Sequence, residues 1–409
     1  MNSPTATAST MQWASALSSL PSLYQALDAC VSHIQNQLEG RRADLVIAFI
    51  SPGFSGNFQW VAPFLAEHLP SGIFLGCTGG GSIGGGQEVE STPSLALVAA
   101  SLPGVDLYPF YLSPRDIPDL DSRPDRWIKA LRIPGDVQPD FMLLSDGQRI
   151  TDLLQGMDFA FPQRAKIGGL VSGARYLFGQ EKIYSEGTVG VGFVGNIVLD
   201  TVVAQGCKPI GPPFKITHSE RHLLYALEDQ PVIEVLRDVL SELNDRDREL
   251  ARHSLSIGIL SGEVGGSLMN VSGGEKTATG TFLIRTLMGI SSEGALAVGA
   301  RLRPGQMIQF HIRDGRTSAE DIHLLLSRYH AEHGQQARGA LLFSCLGRGE
   351  QLYGVPDHDL NCIQRYLGPI PVGGFFCNGE IGPVGSETYL HGFTSVVGLF
   401  RPKSGADDL

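Results

Sequence analysis

The chain has 409 residues, 42% of them hydrophobic and 18% charged, with a formal net charge of −11. That length predicts two to three domains of roughly 100–200 residues each, and the composition excludes a disordered chain. An acidic balance with no offsetting Lys/Arg cluster argues against nucleic acid as a partner. No window approaches the roughly 18 apolar residues of a membrane span, so no membrane insertion is expected.

Residues 1–20 read as a disordered lead-in. The stretch through Ser19 is rich in Ser, Thr and Ala and lacks both the basic start and the apolar core of a secretory signal. Six dispersed cysteines, none in a C-x-x-C pair, read as free thiols of a reducing compartment, so a cytoplasmic location is expected.

The next signal is an internal repeat. The apolar run Leu45–Ser51 predicts a strand, residues 57–68 a helix, and Ile73–Leu75 a second strand that breaks into GCTGGGSIGGG; Leu95–Ala100 closes the unit. The pattern recurs as Phe141–Leu144, a helix near 150–158, IGGLVSGAR from Ile167, and Val189–Val194. It recurs again as Ala340–Phe343, a helix over 359–367, VGGFFCNGE from Val372, and Thr394–Phe400. Three Gly-rich breaks at one point in three units predict a shared architectural role, with or without a ligand. Runs apolar on both faces, such as LVIAFI and ALLF, predict central strands covered on both sides.

Between the second and third units, residues 205–217 have β character, and helical patterns are read at 222–227 and 231–244. The charged stretch 245–252 reads as a solvated link and marks the boundary between two halves, 21–244 and 245–409. Beyond it, 254–260, 281–287 and 305–313 predict strands, 319–330 a helix, and 272–276 (SGGEK) a loop. The expected fold class is α/β: layered sheets with helices, built from repeated strand–loop–helix–strand–strand units.

Motif tests mostly exclude. Gly79–Gly84 satisfies G-x-G-x-x-G, but no helix begins there to hold a pyrophosphate, so no dinucleotide cofactor is expected. SGGEKT lacks phosphate-loop spacing. His330 and His333 do not make H-E-x-x-H, and no linear spacing predicts a metal site. No cofactor of any kind is expected. Cys345, or Ser344 in its place, follows a strand with His358 and Asp359 opening the next helix, an arrangement open to a thiol- or serine-dependent hydrolase or, equally, to a helix capped by Asp359. Cys377-Asn378-Gly379-Glu380 is the densest polar cluster in an apolar region. It is either a turn with Asn378 and Gly379 at positive φ, or a ligand site converging with Arg348.

The run ALLFSCLGRGEQLYGVPDHDL and the run PIPVGGFFCNGEIGPVGSETYLHGFTSVVGLF resemble the C-terminal half of the FIST family. TFLIRTLMGI and GALAVGARLRPGQMIQFHIRD resemble the part before it, and DLVIAFIS, FLGCTGGGSIGGGQE, IGGLVSGARYLFGQ and QGCKPIGPPFKIT resemble the N-terminal half. The resemblance covers about 45–400. It implies a sensory module that binds small ligands such as amino acids. Family members are often fused to a signalling output; no such segment is recognised here, so output through a partner protein is expected.

Within that implication, the residues themselves place a small polar ligand in the C-terminal half. Arg348 would hold a carboxylate through two parallel hydrogen bonds, Glu380 would accept from an ammonium, and Asn378 would fix orientation. Gly373 and Gly374 would let backbone N–H groups approach, and Ser344 and His358 complete the expected ligand-binding set. The rival readings are the hydrolase and a non-catalytic scaffold whose surface binds another protein.

Overall fold

The computed structural model describes residues 10–179, 182–260, 282–404 and 407. The loop expected at 272–276 lies outside them. By contacts the chain divides into two compact units: Met1–Ala204 with Ile322–Leu390 and Thr394–Leu409, and Gln205–Asp321 with His391–Phe393. Among the described residues, no helix is long and apolar enough to cross a membrane.

The first unit is one motif written three times. The first repeat runs β1 (Gln12–Ser18), α1 (Leu23–Leu38), β2 (Ala43–Ile50), α2 (Val61–His68), β3 (Ser71–Thr78), a hairpin of β4 (Ser82–Gly84) and β5 (Gln87–Val89), and β6 (Leu95–Ser101). The second runs β7 (Val105–Leu112), α3 (Pro124–Ala130), β8 (Asp140–Ser145), α4 (Ile150–Ala160), β9 (Lys166–Leu170), a hairpin of β10 (Leu177–Phe178) and β11 (Ile183–Tyr184), and β12 (Thr188–Gly195). The third opens with β13 (Val198–Gln205). The chain then builds the second unit: β14 (Cys207–Glu220), β15 (Leu223–Leu227), β16 (Gln230–Pro231), α5 (Val232–Ser241), α6 (Asp245–Ser254), β17 (Leu255–Leu260), β18 (Phe282–Ile290), β19 (Leu296–Val298) and β20 (Met307–Arg313). The third repeat resumes with α7 (Gly315–His333), β21 (Gly339–Cys345), α8 (Glu350–Tyr353), α9 (His358–Leu367), β22 (Val372–Cys377), a hairpin of β23 (Glu380–Val384) and β24 (Glu387–His391), and β25 (Thr394–Arg401).

Among the described residues the three sheets of this unit have one strand order: β1-β6-β2-β3-β10-β11, β7-β12-β8-β9-β23-β24 and β13-β25-β21-β22-β4-β5. In each, the two central strands run parallel through a helical crossover, and the closing strand lies antiparallel beside them. Each repeat gives its hairpin away. The first donates β4–β5 to the third sheet, the third donates β23–β24 to the second, and the second donates β10–β11 to the first. Backbone bonds complete the circle. Gly80 N–H donates to Phe376 O (3.0 Å), Asn378 N–H to Leu170 O (3.1 Å) and Ser172 N–H to Thr78 O (3.3 Å).

Strand alternation explains why both faces of the central strands are apolar. Ile47 and Phe49 of β2, Met142 and Leu144 of β8, and Leu341 and Phe343 of β21 meet in a shared central core. Their neighbours Val46 and Ala48, Phe141 and Leu143, and Ala340 and Leu342 face separate outer cores under each repeat's own helices.

The Gly-rich breaks resolve into two jobs. A Cβ on Gly76, Gly168 or Gly374 would lie 2.2, 1.8 or 1.8 Å from the carbonyl oxygen of Ala48, Leu143 or Leu342 on the neighbouring parallel strand. Gly85 and Gly86, with φ of 55° and 83°, make the two-residue turn of the β4–β5 hairpin. The G-x-G-x-x-G run thus leads into a hairpin, not a helix.

Three expectations are corrected. Residues 12–18, read as lead-in, form β1, which pairs along its length with β6: its alternating small and apolar residues add an edge to the sheet. The helix expected at 222–227 is strand β15. Arg221 on one side and Glu228 and Asp229 on the other take positive φ, leaving a run too short for a helix, and its backbone pairs with β14 and β19. The stretch read as a solvated link is helix α6, capped by Asn244, whose side chain accepts from the Asp247 N–H (2.9 Å).

In the second unit the sheet order is β14-β20-β17-β18-β19-β15-β16 among the described residues. Val232, Val235, Leu236 and Val239 of α5 pack on its apolar face with Ile216, Ile257 and Phe310.

Gly374 tests the close strand approach without the complication of positive φ. Gly374→Ala should destabilise by at least about 1–3 kcal/mol, the usual range for overpacking. Gly135→Ala, where a Cβ meets nothing within 4 Å, should leave the melting temperature nearly unchanged.

Candidate functional site

Strand register supplies an internal control. At the end of each repeat's first central strand, Ile50 pairs with Leu95, Ser145 with Thr188, and Ser344 with Ser395. All six are buried. The position is apolar in the first repeat. In the second, Thr188 donates to Ser145 Oγ (2.8 Å). In the third, Ser344 and Ser395 hydroxyls lie 3.3 Å apart, and Ser395 also donates to Asp359. Four residues further along stand Phe54, Arg149 and Arg348. Arg149 is half-exposed beside Asp152, whereas Arg348 is 0% exposed. Only the third repeat puts a formal charge beneath its helices here.

Arg348 leaves β21 in the loop before α8, and Asp359 sits in the first turn of α9. Arg348 Nε donates to Asp359 Oδ2 (3.0 Å) and Nη2 to Oδ1 (3.2 Å), a two-pronged pair. Nη2 also donates to the Tyr353 hydroxyl, and Nη1 reaches Ala204 O (3.4 Å). His358 Nδ1 lies 3.1 Å from Asp359 Oδ1, and its ring stacks on Tyr353 with centroids 3.6 Å apart. Asp359 is therefore an ion-pair partner inside the helix and not its cap. The cap position is Asp357, which accepts from Glu88 N–H. The donated hairpin closes this end of the third repeat: Glu88 accepts from Leu360 N–H (2.7 Å) and Glu90 from Glu350 N–H (2.8 Å), each carboxylate at a helix start.

Glu380 opens β23 and is fully buried. It accepts from Thr394 N–H (3.1 Å) and from the Cys377 thiol (3.5 Å), and its charge is felt at Arg348. Burial lifts its carboxyl to about 8 against those hydrogen bonds. Glu88 is likewise lifted to about 8, by burial and by the charge of Asp359. Burial also works against the Asp359 carboxylate, but the Arg348 charge and donors from His358, Arg348 and Ser395 hold it well below the usual range.

The structure thus joins Ser344, Arg348 and His358 through Ser395 and Asp359, with Glu380 close by. The other three expected residues stand apart. Asn378 is exposed, at the end of β22. Gly374 serves the strand approach described above, and a Cβ on Gly373 would lie 1.9 Å from Val98 Cγ2, so both glycines are close-packing positions. Of the two residues proposed for positive φ in the turn, Gly379 has it (130°). Cys345 is half-buried and contributes a hydrogen bond to Glu380. Tyr353, Ser395 and Glu88 carry no local signal in the sequence, whereas Asp359 does, standing beside His358 at the opening of a predicted helix.

On the opposite flank of His358 lie Cys362, four residues on in α9, and His323 of α7. Cys362 Sγ is 3.5 Å from His323 Nε2. One donor atom from each of His323, His358 and Cys362 falls within a 4.8 Å cluster. All six cysteines are free.

Two outcomes test this picture. Arg348→Ala leaves Asp359 buried and unpaired, so it should cost about 3–5 kcal/mol, and Arg348→Met with Asp359→Leu should recover part of that in denaturant melts. The second concerns pH. Glu380 has a folded value of about 8 against an ordinary 4.5, so the folded state holds the proton more tightly. Its contribution to stability is complete below about 4.5 and is lost as pH rises through about 8. Glu380→Gln should therefore lose less stability than the parent between those limits in melts taken across the range.

A family model described as the FIST N domain matches residues 44–230, and one described as the FIST C domain matches residues 233–383. An uncharacterized protein of Mycobacterium tuberculosis is 30% identical over 392 residues, covering 94% of this chain and 98% of that protein. An uncharacterized protein of Mycobacterium bovis is 30% identical over 388 residues, covering 93% and 96%. Among solved structures, a cyanuric acid hydrolase from A. caulinodans aligns over 96% of this chain and 100% of that one at 8% identity, with a TM-score of 0.35.

Proposed function

Because the chain belongs to the FIST family, whose domains are generally sensory modules of signal transduction, we propose that it senses a small polar ligand, an amino acid in the first instance, and passes the signal to a partner protein. Six free cysteines support a cytoplasmic setting. The observation that carries the reading is the fully buried Arg348–Asp359 pair, at a place where the first repeat has Phe54 and the second keeps Arg149 half-exposed beside Asp152. A buried pair is weak support for stability, so its retention in this one repeat favours a role in recognition.

Asp359 holds the two-pronged position on Arg348 that a ligand carboxylate would take. A ligand would then compete with Asp359, and the released carboxylate, at the start of α9, would unsettle that helix. This supplies a signal that does not depend on a new pocket. The ligand's ammonium would sit toward Glu380 and stabilise its ionised form, the proton leaving to solvent; His358 and Ser344 would orient it, Asn378 would meet it only from the exposed end of β22, and Gly373 and Gly374 would act through the strand packing beneath it.

The test is a thermal-shift screen across amino acids and related metabolites. At about 100 times the dissociation constant, binding should add roughly 2.7 kcal/mol to the folded state. Arg348→Lys keeps the charge and loses the fork, and should abolish the shift, as should Glu380→Gln. A full shift in both variants puts the site elsewhere, and no shift with any compound removes the amino-acid reading.

A further inference from the structure

We propose that His323, His358 and Cys362 form a binding site for a zinc-class divalent metal ion, with a fourth coordination position left open. His358 and Cys362 stand four residues apart in α9 and so project from one face of that helix, while His323 comes from α7. The set was invisible to linear spacing because its third member lies in a separate helix. Hence the expectation of no metal, drawn from the absence of paired motifs, does not bear on it.

Three observations carry the proposal. The first is distance. Zinc bonds of about 2.3 Å to sulfur and about 2.05 Å to nitrogen, at a tetrahedral angle, place the two donors roughly 3.6 Å apart. Cys362 Sγ and His323 Nε2 are 3.5 Å apart, and all three donors fall within 4.8 Å, so a small side-chain rotation brings the set onto one ion. The second is orientation. Asp359 takes the Nδ1 side of His358 at 3.1 Å, and Tyr353 stacks on the ring, which fixes its plane and leaves Nε2 as the free lone pair. A carboxylate behind a histidine is the arrangement that orients ligating imidazoles. The third is donor chemistry. Two imidazoles and a thiol suit zinc or cobalt and not the oxygen-seeking magnesium or calcium. Cys362 is buried while the two histidines are half-buried, so an ion there would be anchored on the inside and open on the outside. Three protein ligands with one open position is the pattern of sites at which an ion meets a further ligand.

The bland alternative is a thiol–imidazole hydrogen bond between two packed helices. Cobalt(II) distinguishes the two, because a thiolate ligand gives a near-ultraviolet charge-transfer band that a hydrogen bond cannot. The full-length protein, first dialysed against chelator, should bind one equivalent of cobalt with that band and with visible bands of tetrahedral intensity, and zinc should displace it. Cys362→Ser should lose the charge-transfer band. Losing an orienting partner costs about 10- to 100-fold in affinity, so losing a ligand in His323→Ala should weaken cobalt binding by roughly 100-fold or more. His323 is half-buried, so that variant decides the matter even if Cys362→Ser folds poorly; circular dichroism melts provide the check. No band in the parent protein, or a band that survives both substitutions, overturns the proposal. The readout uses metal alone, so its failure leaves the amino-acid reading standing, and the reverse also holds.

Discussion

The main-chain bonding of each repeat's hairpin to another repeat's sheet is the constraint on which the first unit depends. A parallel strand pair with a helix on one face would end at β3, β9 or β22 with unpaired N–H and C=O groups, and such edges invite pairing with other chains. Here each edge is covered by a hairpin from another repeat, and the debt is passed around a closed circle. No repeat completes its own sheet. The glycines at 76, 168 and 374 follow from the same geometry, since the strands that accept hairpins must first lie tight against their parallel neighbours.

That threefold arrangement makes departures from it informative. The fold does not require charge at the end of β21, because Ile50 and Leu95 fill the corresponding place with hydrocarbon and Ser145 and Thr188 with a neutral hydroxyl pair. The third repeat instead buries Arg348, Asp359 and Glu380, and brings in Glu88 from the first repeat's hairpin. Desolvating these groups is costly, and their hydrogen bonds and mutual attraction offset that cost only while the whole set is intact. The second repeat shows an intermediate condition: Arg149 occupies the place of Arg348 but keeps its guanidinium near water, paired with Asp152. Elsewhere a buried charge serves assembly. Lys166 donates to the carbonyls of Phe161 and Arg164 and pairs with Asp158, which in turn accepts from Thr388 on the donated β24.

The three repeats were legible because local signals agree: apolar runs of strand length, helical spacing after them, and glycine at one fixed point. The family resemblance rests on the same segments. The exchange of hairpins was not legible, since β4 and β10 are too short and plain to announce a distant partner. Residues 12–18 were missed because a strand made mostly of Ala and Ser, with one Gln, one Trp and one Leu, carries little signal until β6 lies beside it. The polar cluster was half legible. Arg348, His358 and Glu380 stand out as charges amid apolar text, but the partner that holds Arg348 is decided by tertiary packing. Glu88 and His323 reach the cluster from 272 and 39 positions away from their bonded partners, beyond any local reading.

The closed circle also sets an order of events for a chain emerging from the ribosome. The first sheet can be completed as soon as the second repeat is made. The second sheet must wait for β23, and the third sheet draws on β4, made far earlier, and on β13, which is parted from the rest of its repeat by the whole second unit. Until the last hairpin arrives β9 has an open edge, and until β22 is made the β4–β5 hairpin has nowhere to dock. Contacts of such wide sequence separation are slow to form, because loop closure is met before the pairing that compensates it. The nascent chain therefore spends most of its synthesis with an exposed strand edge, and the demand on chaperones should fall on the first half of the sequence although the missing piece lies in the last.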